Sequence, residues 1–142
     1  MAITFSYDEN IKFRLKKSRD VKSWIFLVAH NYKYNIESVN YLFCNDTYIL
    51  EVNKKFLNHD YYTDIITFDY TEIHDIFADI LISVDTVKSN SKKFGTKFSD
   101  EILRVIIHGI LHMVGFDDKV DEEREKMRAE ENRWLKVFYD EF

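Results

Sequence analysis

His108-Gly109-Ile110-Leu111-His112-Met113-Val114-Gly115-Phe116-Asp117-Asp118 decides how the rest of this chain is read. Its two histidines stand four apart inside an apolar run that begins at Ile102 and continues through Ile110 and Leu111. On a helix, positions i and i+4 share a face, with side chains about 5–6 Å apart. Two imidazole nitrogens at that spacing can each lie about 2.0–2.1 Å from one metal ion. Gly115 stands where a helix commonly ends, since glycine takes the left-handed cap conformation at little cost. The chain can then turn back and carry Asp117 or Asp118 to the same ion. Three protein ligands leave a tetrahedral ion one open position, as in a catalytic site and unlike a closed structural one. A single histidine on an apolar helix face is ordinarily a hydrogen-bonded core residue. A second at this spacing, followed by a glycine and a carboxylate, favours a metal, because one ion satisfies both rings.

Working outward, Ser99-Asp100-Glu101 opens the histidine helix, and apolar residues surround it nearly completely, so it should be the buried centre of the fold. Downstream, a last helix begins near Asp121, with Glu122 and Glu123 favourably placed in its first turn. Met127, Trp134, Leu135 and Phe138 give it a narrow inner stripe, and its many charges read as a solvated face. Upstream, residues 65–70 and 76–84 read as strands, the second interrupted by Asp79, followed by a helix over 85–94 and a turn at Gly95.

Nearer the N-terminus, residues 2–7 suggest a strand. Residues 11–16 alternate strictly, Ile11, Phe13 and Leu15 against Lys12, Arg14 and Lys16. That pattern predicts a half-buried strand whose basic face guards a sheet edge or, less favoured, meets RNA. A helix capped by Ser18 or Asp20 should follow to about residue 32, burying Val21, Trp24, Ile25 and Val28, with His30 left to solvent or a cap. Residues 36–44 read as a buried strand ending at the Asn45-Asp46 turn. Residues 46–57 suit a helix with Ile49, Leu50, Val52 and Phe56 as its apolar members. The loop at 58–62 carries His59, Tyr61 and Tyr62, which suit stacking on unpaired bases and ordinary packing equally.

At 142 residues the chain is expected to form one domain spanning 1–142 with a sizeable core. Hydrophobic residues make up 46%, too many for a disordered chain, yet no apolar run is long enough for a bilayer. The N-terminus has neither the basic start nor the apolar stretch of a signal peptide, and a lone Cys44 fits a reducing cytoplasm. The net charge of −5 argues against a nucleic-acid partner at first. From Asp117 onward, however, 10 acidic residues face 6 basic ones, which leaves the preceding 116 residues close to neutral and free to carry basic patches.

The histidine motif resembles the H-G-x-L-H-x-x-G-x-D-H pattern of the YbeY-type endoribonucleases, bacterial rRNA maturation factors. His108, Gly109, Leu111, His112, Gly115 and Asp117 match it. Thr63-Asp64-Ile65-Ile66-Thr67-Phe68 is similar to the family's T-D-V-L-S-F segment, and Ala78-Asp79-Ile80 to its G-D-I. The likeness runs from roughly Tyr41 to Leu135. It implies an α+β fold with a small mixed sheet flanked by helices, and one zinc ion held at positions 108, 112 and 118. It also implies action on rRNA with the small ribosomal subunit, notably at the small-subunit 3′ end, and in ribosome quality control.

Three departures stand out. Asp118 replaces the family's third histidine; carboxylate is a competent zinc ligand, but its charge weakens the ion's pull on bound water and broadens which metals are accepted. Leu57 replaces an arginine suited to a phosphate, which leaves Lys54, Lys55 and His59 as the nearby RNA-contacting substitutes. Asp69 replaces a proline. Asp64 and Asp79 are candidates for orienting the histidines, or else for bonding to backbone. The expected chemistry is metal-assisted phosphodiester cleavage, with no catalytic group assigned beyond the metal-bound water. Two rivals remain: a peptidase of the metzincin type, whose base would be a glutamate where this chain has Gly109, and a non-catalytic ribosome-assembly factor with a stabilising metal.

Overall fold

The alternating and continuous apolar runs on either side of residue 60 become the two central strands of a sheet. The computed structural model describes residues 2–142. Its elements run β1 (Ile3–Tyr7), α1 (Ser18–Asn31), β2 (Asn35–Cys44), α2 (Asp46–Leu57), β3 (Ile65–Asp69), β4 (Asp75–Ser83), α3 (Val84–Phe94), α4 (Phe98–Met113) and α5 (Asp121–Glu141). The sheet order is β1-β2-β4-β3, with β1, β2 and β4 parallel and β3 antiparallel to β4. This is a single α+β domain with a mixed sheet, as the resemblance implied.

Strand alternation sends Tyr41, Phe43, Ile76, Ala78, Ile80 and Ile82 into the main core, each fully buried. A smaller cluster, Cys44, Ile49, Ile66 and Leu81, lies beneath α2. The helix that carries the histidines is the centre the sequence promised, with ten of its sixteen residues buried. It lies close on the sheet because residue 109 has no side chain: a Cβ there would stand 3.2 Å from Ile80 Cδ1 and 3.3 Å from Ile65 Cδ1. Tyr41 donates its hydroxyl to the Ile106 carbonyl at 3.0 Å, which ties helix to sheet inside the core. On the far side, α5 buries Met127, Trp134, Leu135 and Phe138 as predicted. Burying such side chains stabilises by about 1.5–3 kcal/mol each.

The structure corrects several expectations. Residues 11–16 pair with no strand. The alternation survives as Ile11, Phe13 and Leu15 turned inward, with Phe13 against Phe43 and Phe98, but the segment folds across the strand ends instead of joining an edge. Neither Ser18 nor Asp20 caps α1; its cap is Lys17 in the left-handed conformation, with no side-chain bond. In α2 only Ile49 and the polar Asn53 are buried, while Phe56 is 62% exposed. The solvated face read into α5 also contains an exception, Glu131, which is 4% exposed.

After Met113 the backbone reverses in a Schellman turn. Gly115 N–H donates to the His112 carbonyl at 3.1 Å and Phe116 N–H to the Leu111 carbonyl at 3.0 Å. Gly115 takes φ +114°, a conformation an L side chain resists. Gly115→Ala should therefore destabilise by about 1–2 kcal/mol, read as a lowered urea midpoint with unchanged slope. It should also displace the segment leading to Asp118 and weaken metal binding, whereas an unchanged midpoint would show the turn to be unstrained.

Candidate metal centre

Position 109 faces the sheet, so the histidines on either side of it leave α4 elsewhere, toward α5 and the returning chain. Their rings lie 4.7 Å apart at 81°. Asp118, delivered by the Gly115 turn, sets one carboxylate oxygen 3.4 Å from His108 Nε2 and 3.3 Å from His112 Nε2. One ligand atom from each of the three residues falls within 4.8 Å of the others, a group able to hold a metal ion. Two ligands bound at about 2.0–2.1 Å with a tetrahedral angle between them would stand about 3.3–3.4 Å apart. Both distances to Asp118 have that value.

The hydrogen-bonding state of His108 sharpens the fit. Its Nδ1 lies 2.7 Å from Glu131 Oε2, a carboxylate that can only accept. Nδ1 therefore carries a proton, and in the neutral ring the lone pair sits on Nε2, directed at the Asp118 carboxylate. Two acceptors facing each other at this range require a positive charge between them, either a proton or a metal. Burial pulls the His108 pKa down. The hydrogen bond and charge of Glu131, then the charges of Asp118 and Asp64, outweigh it and raise the pKa above its ordinary 6.5.

Other predicted residues fall in different places. Asp64 is half-buried; burial raises its pKa against the opposing pull of the nearby His108, so the two sense each other although no hydrogen bond joins them. Asp79 is a correction. Strand alternation turns it away from Ile80, onto the face opposite α4, where it accepts from Asn40 Nδ2 at 3.1 Å and bonds neither histidine. Lys54 pairs with Asp60 at 3.3 Å, and Lys55 lies over the Phe56 ring. His59 stacks on Tyr61, with 5.0 Å between ring centres, and bonds its hydroxyl at 2.9 Å. Leu57 and His59 line one small cleft with Tyr61, Thr63 and Thr67. Buried Asn53 braces this loop by donating to the Tyr61 carbonyl at 2.9 Å, a role its place among polar helix residues did not reveal. Glu131 was likewise missed. Only its spacing of four from Met127 and Leu135, both inner-stripe residues, marked it in the sequence as inward-facing.

Two histidines on the buried helix of an α+β domain and an aspartate just beyond its end form a group that could hold a metal ion, and three such ligands would leave a tetrahedral ion one position for substrate or solvent. Residues 4–139 match the family described as Endoribonuclease YbeY, and the chain belongs to that family. It is 48% identical to the endoribonuclease YbeY of Parabacteroides distasonis, over 99% of both chains. It is 50% identical to that of Bacteroides fragilis, over 95% of this chain and 96% of the relative. A solution structure from Thermotoga maritima shares the fold with a TM-score of 0.68, covering 98% of this chain and 90% of that one at 24% identity.

The His108 environment sets a pH dependence. In metal-free protein its raised pKa contributes stability that is fully present below about pH 6.5 and lost as pH rises through the higher folded value. A metal must displace that proton, so affinity should move the opposite way and increase as pH rises through the same window. Urea unfolding of chelator-treated protein and zinc titrations from pH 5.5 to 8.5 should show opposed slopes; parallel or flat curves would separate His108 from the metal.

Proposed function

We propose that this chain is a zinc-dependent endoribonuclease that cleaves single-stranded RNA during rRNA maturation in the cytoplasm. Its substrate would be precursor rRNA of the small ribosomal subunit, with processing at the 3′ end and ribosome quality control as its setting. One observation carries the reading: a carboxylate oxygen at tetrahedral ligand spacing from each of two imidazole nitrogens, in a chain whose relatives are named endoribonucleases.

In this reading His108, His112 and Asp118 hold the ion. A divalent ion so held supplies Lewis acidity toward a phosphate oxygen and a lowered pKa for water at its remaining position. Asp118 contributes a full negative charge where an imidazole would contribute none, so the centre is a milder electrophile and tolerates other divalent metals. His59, Tyr61 and Tyr62 offer exposed ring faces beside the loop, suited to an unpaired base. Lys54, Lys55 and His59 supply charge or hydrogen bonds to phosphates where Leu57 supplies none. Position 109 bears on the peptidase alternative. A base placed there would be driven into Ile65 and Ile80, so this helix has no counterpart of the peptidase glutamate.

Zinc-loaded protein should cut single-stranded RNA, leave an unstructured protein intact, and lose at least about 100-fold in rate with His112→Ala. Asp118→His should retain metal and activity. A zinc-loaded protein inert toward RNA, or an Asp118→Ala variant that stays folded and cleaves at the original rate, would refute the proposal. A deoxyribose at the scissile position then separates the nucleophiles: abolished cleavage assigns the ribose 2′-hydroxyl, and undiminished cleavage assigns water.

A further inference from the structure

The last helix makes two contacts with this centre that the proposed reaction does not use. Glu131 reaches His108 Nδ1 with one oxygen, at 2.7 Å, and accepts from Arg104 Nη1 with the other, at 3.1 Å. Arg104 is held in turn by Glu101, 3.3 Å away, which also accepts from the Thr96 hydroxyl at 3.1 Å. Glu131 and Glu101 are both buried, so this is a fixed chain of charge with every member bonded and not a surface ion pair. Seven residues before Glu131, two turns away on the same face, Arg124 donates to the Asp118 carbonyl at 3.2 Å and the Lys119 carbonyl at 3.0 Å. Met127, between them, is buried in the core and fixes the rotation of the helix.

We infer that Glu131 and Arg124 are positioning residues, and that through them α5 sets the geometry of two of the three metal ligands. This rests on the reading of His108, His112 and Asp118 as the ligand set. Glu131 fixes which nitrogen of His108 bears the proton and holds the ring plane, so that Nε2 stays directed at Asp118. Arg124 pins the backbone of the residue that supplies the carboxylate. The two act on different ligands from one rigid rod, which keeps the separation of His108 and Asp118 constant. His112 has no such partner for its second ring nitrogen among the described residues, so it is the ligand with freedom to adjust.

The test measures metal affinity, independent of RNA cleavage. Full-length protein is stripped with chelator and titrated with zinc against a chromophoric competitor, then with cobalt to read its ligand-field bands. Glu131→Gln keeps the shape and an acceptor oxygen but removes the charge. It should lower zinc affinity by about 10–100-fold and shift the cobalt bands. Glu131→Asp, which keeps the charge but shortens the reach, should weaken binding comparably and serves if the first variant folds poorly. Arg124→Ala should give a smaller loss, while Arg128→Ala, exposed on the same helix, should bind like the wild type. Nitrogen-15 spectra of the stripped protein should show a single Nδ1–H form of His108 at high pH, replaced by a tautomer mixture in Glu131→Gln. Wild-type affinity and cobalt bands in a folded Glu131 variant would overturn the inference while leaving the metal centre intact. A wild-type protein that binds neither metal would overturn the ligand set itself.

Discussion

Two ring nitrogens and a carboxylate oxygen are held by the fold around one point, and at His108, where the Nδ1 bond to Glu131 leaves the lone pair on Nε2, that nitrogen and the Asp118 carboxylate repel unless positive charge lies between them. The surroundings add to the demand. Glu101, Glu131, Asp64 and Asp118 bring four carboxylates to this side of α4, against the buried guanidinium of Arg104 and the exposed one of Arg124. The carbonyl end of α4 lies at His112 and adds the negative pole of its dipole. A proton on His108 answers part of this excess, and a dication would answer more of it at the place where the three side chains converge. The raised His108 pKa and the ligand spacing are therefore two expressions of the same electrostatic debt.

The rest of the architecture fixes where that point lies. Gly109 lets α4 settle against Ile65 and Ile80, which sets the height of both histidines above the sheet. The Schellman turn reverses the chain within three residues of the helix end, close enough for Asp118 to return to its own helix. Glycine serves at both places for different reasons: a close approach at 109, where a Cβ would press on the tips of Ile65 and Ile80, and a positive φ at 115. The buried ionic chain then joins α4 to α5. Buried pairs of this kind add little net stability over apolar packing, because desolvation offsets most of their attraction. What they add is a unique arrangement, and breaking one leaves its partner uncompensated.

Much of this was legible in the sequence because it rests on local periodicity. The i, i+4 histidines, the helix-ending glycine and the apolar belt of α4 are all short-range patterns, and each specified its element. Asp118 rather than Asp117 followed from motif position, not from spacing alone. What escaped has a common cause. Glu131 looks like one charge among many on a polar helix, and its burial depends on His108, 23 residues away. Residues 11–16 carry a genuine strand alternation, but alternation reports which side faces the core and not whether a neighbouring strand is there to pair. Asp79 shares a strand with the core residues under α4, and only the register of β4 shows that it points to the other face.

The same register logic bears on the missing arginine. Leu57 ends α2 beside the 58–62 loop, and with no guanidinium there, phosphate binding in the proposed reaction falls to mobile charges. Lys54 is held by Asp60, but both side chains are mostly exposed, and a pair of that kind contributes only about 0–1 kcal/mol. A phosphate bearing a full charge can displace Asp60 at little cost, so the pair does not sequester Lys54. His59 is more firmly set, through its stack on Tyr61 and the Asn53 brace behind that loop. A fork-shaped clamp would thus be replaced by a loosely held point charge beside a stacked pair of exposed rings. That exchange favours recognition of a base over tight grip on a backbone.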